Sequence, residues 1–316
     1  MDFSILRLRN KKYKSHMHDL KTNFDKILEV LKSILQSEVD SSGNFPKVGK
    51  KPKFSDLEVI SLNLTSEYLS IDSENLLFKK LQNQYERAFP NIIDRTQYNR
   101  RRKSLFYSIE MVRKYLSDSF SAHEDVFVID SMPLEICRNA RANRLKICKE
   151  EFHTSPAKGF CASQNQYYFG YKLHGICTFD GVFTSIDLTK ANVHDIHYLK
   201  DVKDQFSDCT LLGDKGYLSG NQQLDLFSSA GIILETPMRR NQVGYEKQPY
   251  IFRKSRKRIE TLYSQLCDQF MIRRNYAKTF MGFKTRILSK ITALTVVQYI
   301  NRFIYNRPIN LLKHAI

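Results

Sequence analysis

From residue 124 onward, short apolar runs alternate with amphipathic stretches in an order that leaves few folds open. Asp125 to Ile129 reads as a buried strand and Tyr167 to Thr178 alternates as a second. Val182 to Leu188 forms a third across a tight turn at Asp180-Gly181. An amphipathic helix follows over Val193 to Phe206, with Ile196, Leu199, Val202 and Phe206 on one face. Cys209 to Leu212 is a fourth strand, Asn221 to Ser229 a helix, Ile232 to Leu234 a fifth strand, and Arg253 to Gln265 a strongly basic helix. Three consecutive strands followed by alternating helices and strands predict an α/β domain, a mixed five-stranded sheet with helices on both faces. Residues 284 to 316 add an amphipathic helix that Pro308 should end. Its Lys284, Arg286 and Lys290 argue against a membrane span.

The part before residue 120 reads as all-α. Phe24, Ile27, Leu28, Leu31, Ile34 and Leu35 fall at helical spacing, and a polar linker runs from Glu38 to Lys53. Ser55-Asp56-Leu57-Glu58 matches a capping box, and Asp72 is placed to cap a short helix over 73 to 82. Beyond Pro90, Asp94 or Thr96 starts a helix that carries Arg95, Arg100, Arg101, Arg102 and Lys103 ahead of Leu105, Ile109, Val112 and Leu116. Helices ending in an arginine-loaded helix suggest a helix-turn-helix-like module whose arginines contact DNA. The alternative is a solvated cationic face. The expected division is therefore a helical DNA-binding region, 1 to 120, and a catalytic domain with C-terminal helices, 121 to 316.

Charge narrows the partner. Lys and Arg number 50 against 33 acids, a formal +17 over 316 residues, and phosphate backbone is the commonest acidic partner for such a surface. Met1 to Lys14 mixes charges too closely for a signal peptide, and six scattered cysteines without a Cys-x-x-Cys pair suit a reducing cytoplasm.

Three acids concentrate the chemistry. Asp130 closes the run Val126 to Ile129, Asp214 closes Leu211-Leu212-Gly213, and Glu260 lies inside the basic helix. An acid just past a buried strand is held on a rigid edge facing a cleft. Such a trio suits two divalent ions for in-line attack on a phosphodiester. Asp130 would bridge them, Asp214 would serve one and Glu260 the other, with hard oxygen ligands favouring Mg²⁺ or Mn²⁺. Arg253, Arg256 and Lys257 would set phosphate contacts beside them. His194-x-x-His197 and the set Cys148, His153 and Cys161 match no strong zinc spacing, and Ser131 lacks the partners of a nucleophilic serine.

Five segments carry a resemblance. They are Val128-Ile129-Asp130-Ser131, Gly170-Tyr171-Lys172-Leu173-His174, Ala191-Asn192-Val193-His194-Asp195, Gly213-Asp214-Lys215-Gly216-Tyr217 and Arg256-Lys257-Arg258-Ile259-Glu260-Thr261. In this order over roughly 120 to 270, the chain resembles the DDE transposases of bacterial insertion sequences, most closely the insertion sequence 982 family. Asp94 to Arg102 is similar to that family as well. The resemblance implies an RNase H-like core, with Asp130, Asp214 and Glu260 as metal ligands. It also implies nicking at element ends followed by attack of the freed 3′-hydroxyl on target DNA. Lys172 and Lys215, lying in two of these segments, join Arg95, Arg100, Arg101, Arg102, Arg253, Arg256 and Lys257 as DNA-binding candidates. Arg256 and Glu260 keep the Arg-x-x-x-Glu spacing of related enzymes. Arg253 stands where their signature has Tyr, and Cys267 where it has Lys. The expected protein is cytoplasmic and nucleoid-associated, and binds terminal inverted repeats and target duplex as a homodimer. A nuclease without strand transfer, a non-catalytic DNA-binding descendant and an RNA-processing enzyme are the alternatives.

Overall fold

The structure is a computed structural model that describes residues 19–122, 124–238, 241 and 244–312. The chain forms two compact units. One takes in the described residues up to Leu116, Gln269–Tyr276 and those from Lys284 on; the other is the described part of Ser117–Asp268 with Ala277–Phe283.

The first unit is helical. α1 (Leu20–Ile34) starts where Asp19 accepts the Thr22 N–H at 2.7 Å, and it buries Phe24, Ile27, Leu31 and Ile34. α2 (Asp56–Tyr68) has both bonds of its capping box: Glu58 N–H to Ser55 Oγ at 3.3 Å and Ser55 N–H to Glu58 Oε2 at 2.6 Å. It is buried almost all round, as an interior helix should be. α3 (Glu74–Gln84) is capped by Ser73 in place of the expected Asp72, whose carboxylate faces Arg274 and Tyr276. α4 (Arg95–Ser104) begins at Asp94, which accepts the Gln97 N–H at 2.9 Å. The single helix expected beyond Asp94 is two: α4 closes on Leu105 and α5 (Phe106–Ser121) begins anew.

The second unit is built on a six-stranded mixed sheet. Its strands are β1 (Val126–Cys137), β2 (Ala157–Cys161), β3 (Gln166–Thr178), β4 (Phe183–Lys190), β5 (Thr210–Leu212) and β6 (Ile233–Glu235). The order is β2-β3-β1-β5-β6, and β4 also pairs with β3. β3 runs antiparallel to β1, β2 and β4, whereas β5 is parallel to β1 and β6 to β5. The strand beyond the expected five is β2. It takes the stretch of β3 from Gln166 to Gly170, and β4 takes the stretch from Tyr171 on.

Two other elements differ from expectation. β1 continues seven residues past Asp130, pairing with β3 as far as Cys137. Pro133 is tolerated there because β5 has already ended and β1 needs hydrogen bonds on one side only. The helix expected over 193 to 206 shrinks to a 3₁₀ turn, Asp195–Tyr198, and α6 (Leu199–Val202). Its Tyr198, Leu199 and Val202 join Phe127, Ile129 and Leu211 in one core, which α7 (Gly220–Ala230) completes with Leu226. α8 (Tyr250–Asp268) turns Ile259, Leu262, Tyr263 and Leu266 inward. Gly181, in the β3–β4 turn at φ +94°, lies so close beneath α8 that a Cβ would stand 2.7 Å from Arg258 Cγ.

α9 (Phe280–Tyr299) has residues in both units. Its first turn packs Phe280 and Phe283 on Tyr171 with ring centroids 5.3 and 5.2 Å apart, within the sheet unit. From Lys284 on it belongs with the N-terminal helices. There the buried Glu67 of α2 meets Arg286 at 3.2 Å and Lys290, and Asn63 donates to Ser289 at 2.6 Å. Burial alone would raise the Glu67 carboxyl, but Lys290 and Arg286 hold it below the usual carboxylate range. The helix widens into a π turn over Ile300–Ile304, and the Tyr305 N–H to Ile300 oxygen bond at 3.0 Å closes it before Pro308.

Candidate active site

The parallel pairing of β1 and β5 brings the two strands to a common level just before two of the acids. Val128 pairs with Leu212, the last register pair; Asp130 and Asp214 each follow two residues later. Asp130 thus stands in the middle of β1, and it is β5, not β1, that stops. The exposed edge expected at the end of a strand arises from the loss of the neighbour. Asp130 Oδ1 accepts the Ser131 N–H at 2.8 Å. Asp214 accepts the Gly216 N–H at 2.7 Å and so caps the 3₁₀ turn Lys215–Tyr217.

Glu260 arrives on α8, with its side chain exposed beside the buried Ile259. What docks α8 is Tyr263, whose buried hydroxyl donates to the Asp130 carbonyl at 2.8 Å. The tyrosine reaches that carbonyl across Gly175, the β3 partner of Asp130. A Cβ at Gly175 would lie 2.9 Å from Tyr263 Oη and 2.7 Å from Phe183 Cε1. Only glycine leaves room for that crossing.

The three acids share one electrostatic field. Burial pushes the Asp130 carboxyl up to about 7; the Ser131 N–H opposes the shift, Asp214 adds to it, Arg256 opposes it and Glu260 adds to it. Among the described residues, however, no three His, Cys, Asp or Glu side chains stand grouped tightly enough to hold a metal ion as they are. The donor chemistry does fit a hard divalent cation: three carboxylates, one of them half-buried and raised first by burial and then by its neighbours' charge.

A fourth acid belongs to this field. Asp195 Oδ1 accepts from Ser131 Oγ at 2.9 Å and stands 3.0 Å from Lys172 Nζ, which also donates to the Val193 carbonyl at 2.9 Å. His174 is fully buried, with Nε2 bonded to Thr189 Oγ1 at 2.8 Å and Nδ1 3.8 Å from Asp195. Burial keeps its imidazole neutral against the pull of Asp195. The buried Tyr217 phenol is driven well above its usual range by burial, then by Asp195, Asp130 and Asp214. Neither His174 Nδ1 nor the Tyr217 hydroxyl has a hydrogen-bond partner among the described residues. Sequence reasoning left Asp195, His174, Tyr217 and Tyr263 without roles. In the chain Asp195 looks like an ordinary helix cap, and Tyr263 like one more member of an apolar stripe.

The cationic candidates divide. Lys215, Arg253 and Lys257 are exposed and Arg256 is partly buried, whereas Lys172 is spent on Asp195 and Val193. In the helical unit Arg100 is exposed, and Arg95 faces Glu74 at 3.9 Å. Arg101 is bound to Asp56 at 2.6 Å and to the Phe54 carbonyl, and the buried Arg102 pairs with Glu74 at 2.9 Å. Those two arginines tie α4 to neighbouring helices. As for the histidine pair weighed for metal, His194 Nδ1 accepts the Ile196 N–H at 3.3 Å, a turn-capping role.

A mixed α/β sheet with flanking helices, three acids in one electrostatic field and a cationic helix is compatible with an enzyme acting on nucleic-acid phosphates. Residues 121–296 match the family model described as Transposase DDE domain, and the chain belongs to that family. No curated protein and no solved structure matches the chain. Family membership supports a transposase-type enzyme with DNA as substrate, and such enzymes typically use divalent metal ions. No helix among the described residues is long and apolar enough to cross a membrane.

Proposed function

We propose that this is the transposase of an insertion sequence of the 982 type. It binds the element's terminal inverted repeats, cuts DNA strands with Mg²⁺, and joins the freed 3′ ends to target DNA. The observation that carries the reading is the parallel pairing that brings β1 and β5 to a common level just before Asp130 and Asp214, with Glu260 in the same field. Three antiparallel strands followed by two parallel ones, in the order β4-β3-β1-β5-β6, support an RNase H-like core.

In this reading Asp130, Asp214 and Glu260 would hold two Mg²⁺ or Mn²⁺ ions, which would supply activation of an attacking oxygen and neutralisation of charge on the leaving one. Asp130, about half protonated near neutral pH, keeps the empty cleft from carrying three full negative charges. Ser131, tethered to Asp195, and Tyr263, bonded to the Asp130 carbonyl, hold β1 in place. Lys215, Arg253, Arg256 and Lys257 take phosphates next to the cut, and Lys172 orients Asp195. The helical region up to about residue 120 supplies a helix-turn-helix-like contact to the repeats through Arg95 and Arg100, with Arg101 and Arg102 bracing it. The protein acts as a homodimer in the bacterial cytoplasm, associated with the nucleoid, because two element ends must be cut and joined together.

A strand-transfer assay separates this reading from a nuclease on the same fold. Pre-nicked DNA ends, taken from the sequence flanking the coding region, are incubated with protein, Mg²⁺ and a plasmid target. Covalent joining of ends to plasmid is expected. Cleavage without joining would assign a nuclease, and neither reaction would leave a DNA-binding protein.

A further inference from the structure

Away from the acids, the β2–β3 hairpin carries rings and lysines on one face. Phe160 pairs with Tyr167 and Lys158 with Phe169, so side-chain alternation puts all four on the same side. Phe160 and Tyr167 are 49% and 55% exposed, with ring centroids 5.0 Å apart. Lys158 Nζ stands 4.4 Å over the Tyr167 ring, and Lys149 Nζ 5.8 Å over Phe169, which is buried at the base. The segment that leads into this face, 138 to 165, carries Arg138, Arg141, Arg144, Lys146, Lys149 and Lys158 against Glu150 and Glu151, a net charge of +4. Tyr167 lies eight residues along β3 from Gly175, the partner of Asp130. At about 3.4 Å per residue that is roughly 27 Å, too far to touch the bond being cut.

We propose that this hairpin face is a stacking platform for unpaired nucleotides, a second DNA site distinct from the acids. Phe160 and Tyr167 take the bases, while Lys158, Lys149 and the arginines of 138 to 144 take the phosphates. Two half-exposed rings flanked by cations are the chemistry of single-strand binding, since every base offers a π face and every link a negative charge. A duplex hides its base faces and would meet only the lysines. A second copy of the chain would bring like charge against like. The inference rests on DNA being the substrate: opening an element end releases a strand that needs holding clear of the cleft.

The test measures binding of a labelled oligothymidylate to the full-length protein by fluorescence anisotropy, with a duplex of equal length and Mg²⁺-dependent cleavage followed in parallel. In the double variant Phe160→Ala/Tyr167→Ala, oligothymidylate affinity is expected to fall about tenfold or more. Duplex affinity should stay within about twofold, because only the unpaired strand uses the rings. The conservative pair Phe160→Tyr/Tyr167→Phe should restore binding, which guards against a folding defect, and Lys158→Ala should weaken it. Unchanged oligothymidylate binding in the double variant overturns the inference. So does equal loss on duplex, a wild type that binds duplex but no oligothymidylate, or a change confined to the sedimentation coefficient. A wild type that neither binds nor cuts duplex fails the transposase reading itself, and the duplex arm reports that separately.

Discussion

Asp130 carries the proposed chemistry, and its protonation gives a test that needs no DNA. Its carboxyl, ordinarily near 3.8, is pushed up to about 7. The folded protein therefore binds this proton more tightly than the unfolded chain does. The stabilisation is complete at low pH, below about 4, and is lost as pH rises through 7. At about 1.4 kcal/mol per pKa unit the loss has a ceiling of about 4 kcal/mol. Asp130→Asn in metal-free protein should accordingly raise the melting temperature over wild type by several degrees at pH 8 and by little at pH 4. An equal shift at both, measured by calorimetry in chelator, would contradict the assignment. Asp195 is the second residue to test. Replacing it with Asn removes the charge that faces Lys172 and weakens the tether on Ser131, next to Asp130. The cleavage kcat is expected to fall about tenfold or more, the worth of one charge-assisted hydrogen bond, with DNA affinity unchanged. A wild-type rate would show that the tether does not matter.

At the scale of elements, local signals read well and context-dependent ones did not. The Ser55–Glu58 capping box, the Asp94 cap, the Asp180-Gly181 turn and the strands β3 to β6 were all legible, since each rests on residues adjacent in sequence. β2 was not: Ala157-Lys158-Gly159-Phe160-Cys161 is a strand only because β3 offers it a free edge. The continuation of β1 through Pro133 likewise depends on β5 stopping early. Register explains the site as well. The sequence placed Asp130 and Asp214 after apolar runs, but their common level follows from a parallel pairing no local pattern encodes, and Tyr263 and Asp195 join the site through their bonds to the Asp130 carbonyl and to Ser131. The arginines of α4 show the same limit. Their spacing suggested one cationic surface, yet the fold uses Arg101 and Arg102 internally. Arg102→Ala should lower stability by about 1–3 kcal/mol, the loss of a charge-assisted bond to the half-buried Glu74, which keeps Asn99 as a partner, and Arg100→Ala should weaken DNA binding without moving the melting temperature. The reverse pattern would mean that α4 presents a different face to DNA.

At the scale of the molecule, a charge of +17 gives the chain a standing attraction for phosphate, while Asp130, Asp214 and Glu260 set a shared negative field against it. A basic surface of this kind binds DNA without reading or cutting it; the acids are what would turn binding into chemistry. The two contributions separate by substitution. Neutralising an acid is expected to weaken the hold on divalent ions and to leave the cationic grip intact or slightly stronger.

The most direct measurement is therefore strand cleavage of DNA carrying the element's own ends, in Mg²⁺ and again in Mn²⁺. Wild type is compared with Asp130→Asn, Asp214→Asn and Glu260→Gln, each with its DNA dissociation constant and its Mn²⁺ binding recorded. The acid trio predicts that each substitution lowers cleavage by about a thousandfold, the worth of several kcal/mol of metal-borne charge stabilisation. Each should also weaken Mn²⁺ binding and leave DNA affinity at or above wild type. Any one of the three cutting DNA at close to the wild-type rate would contradict it.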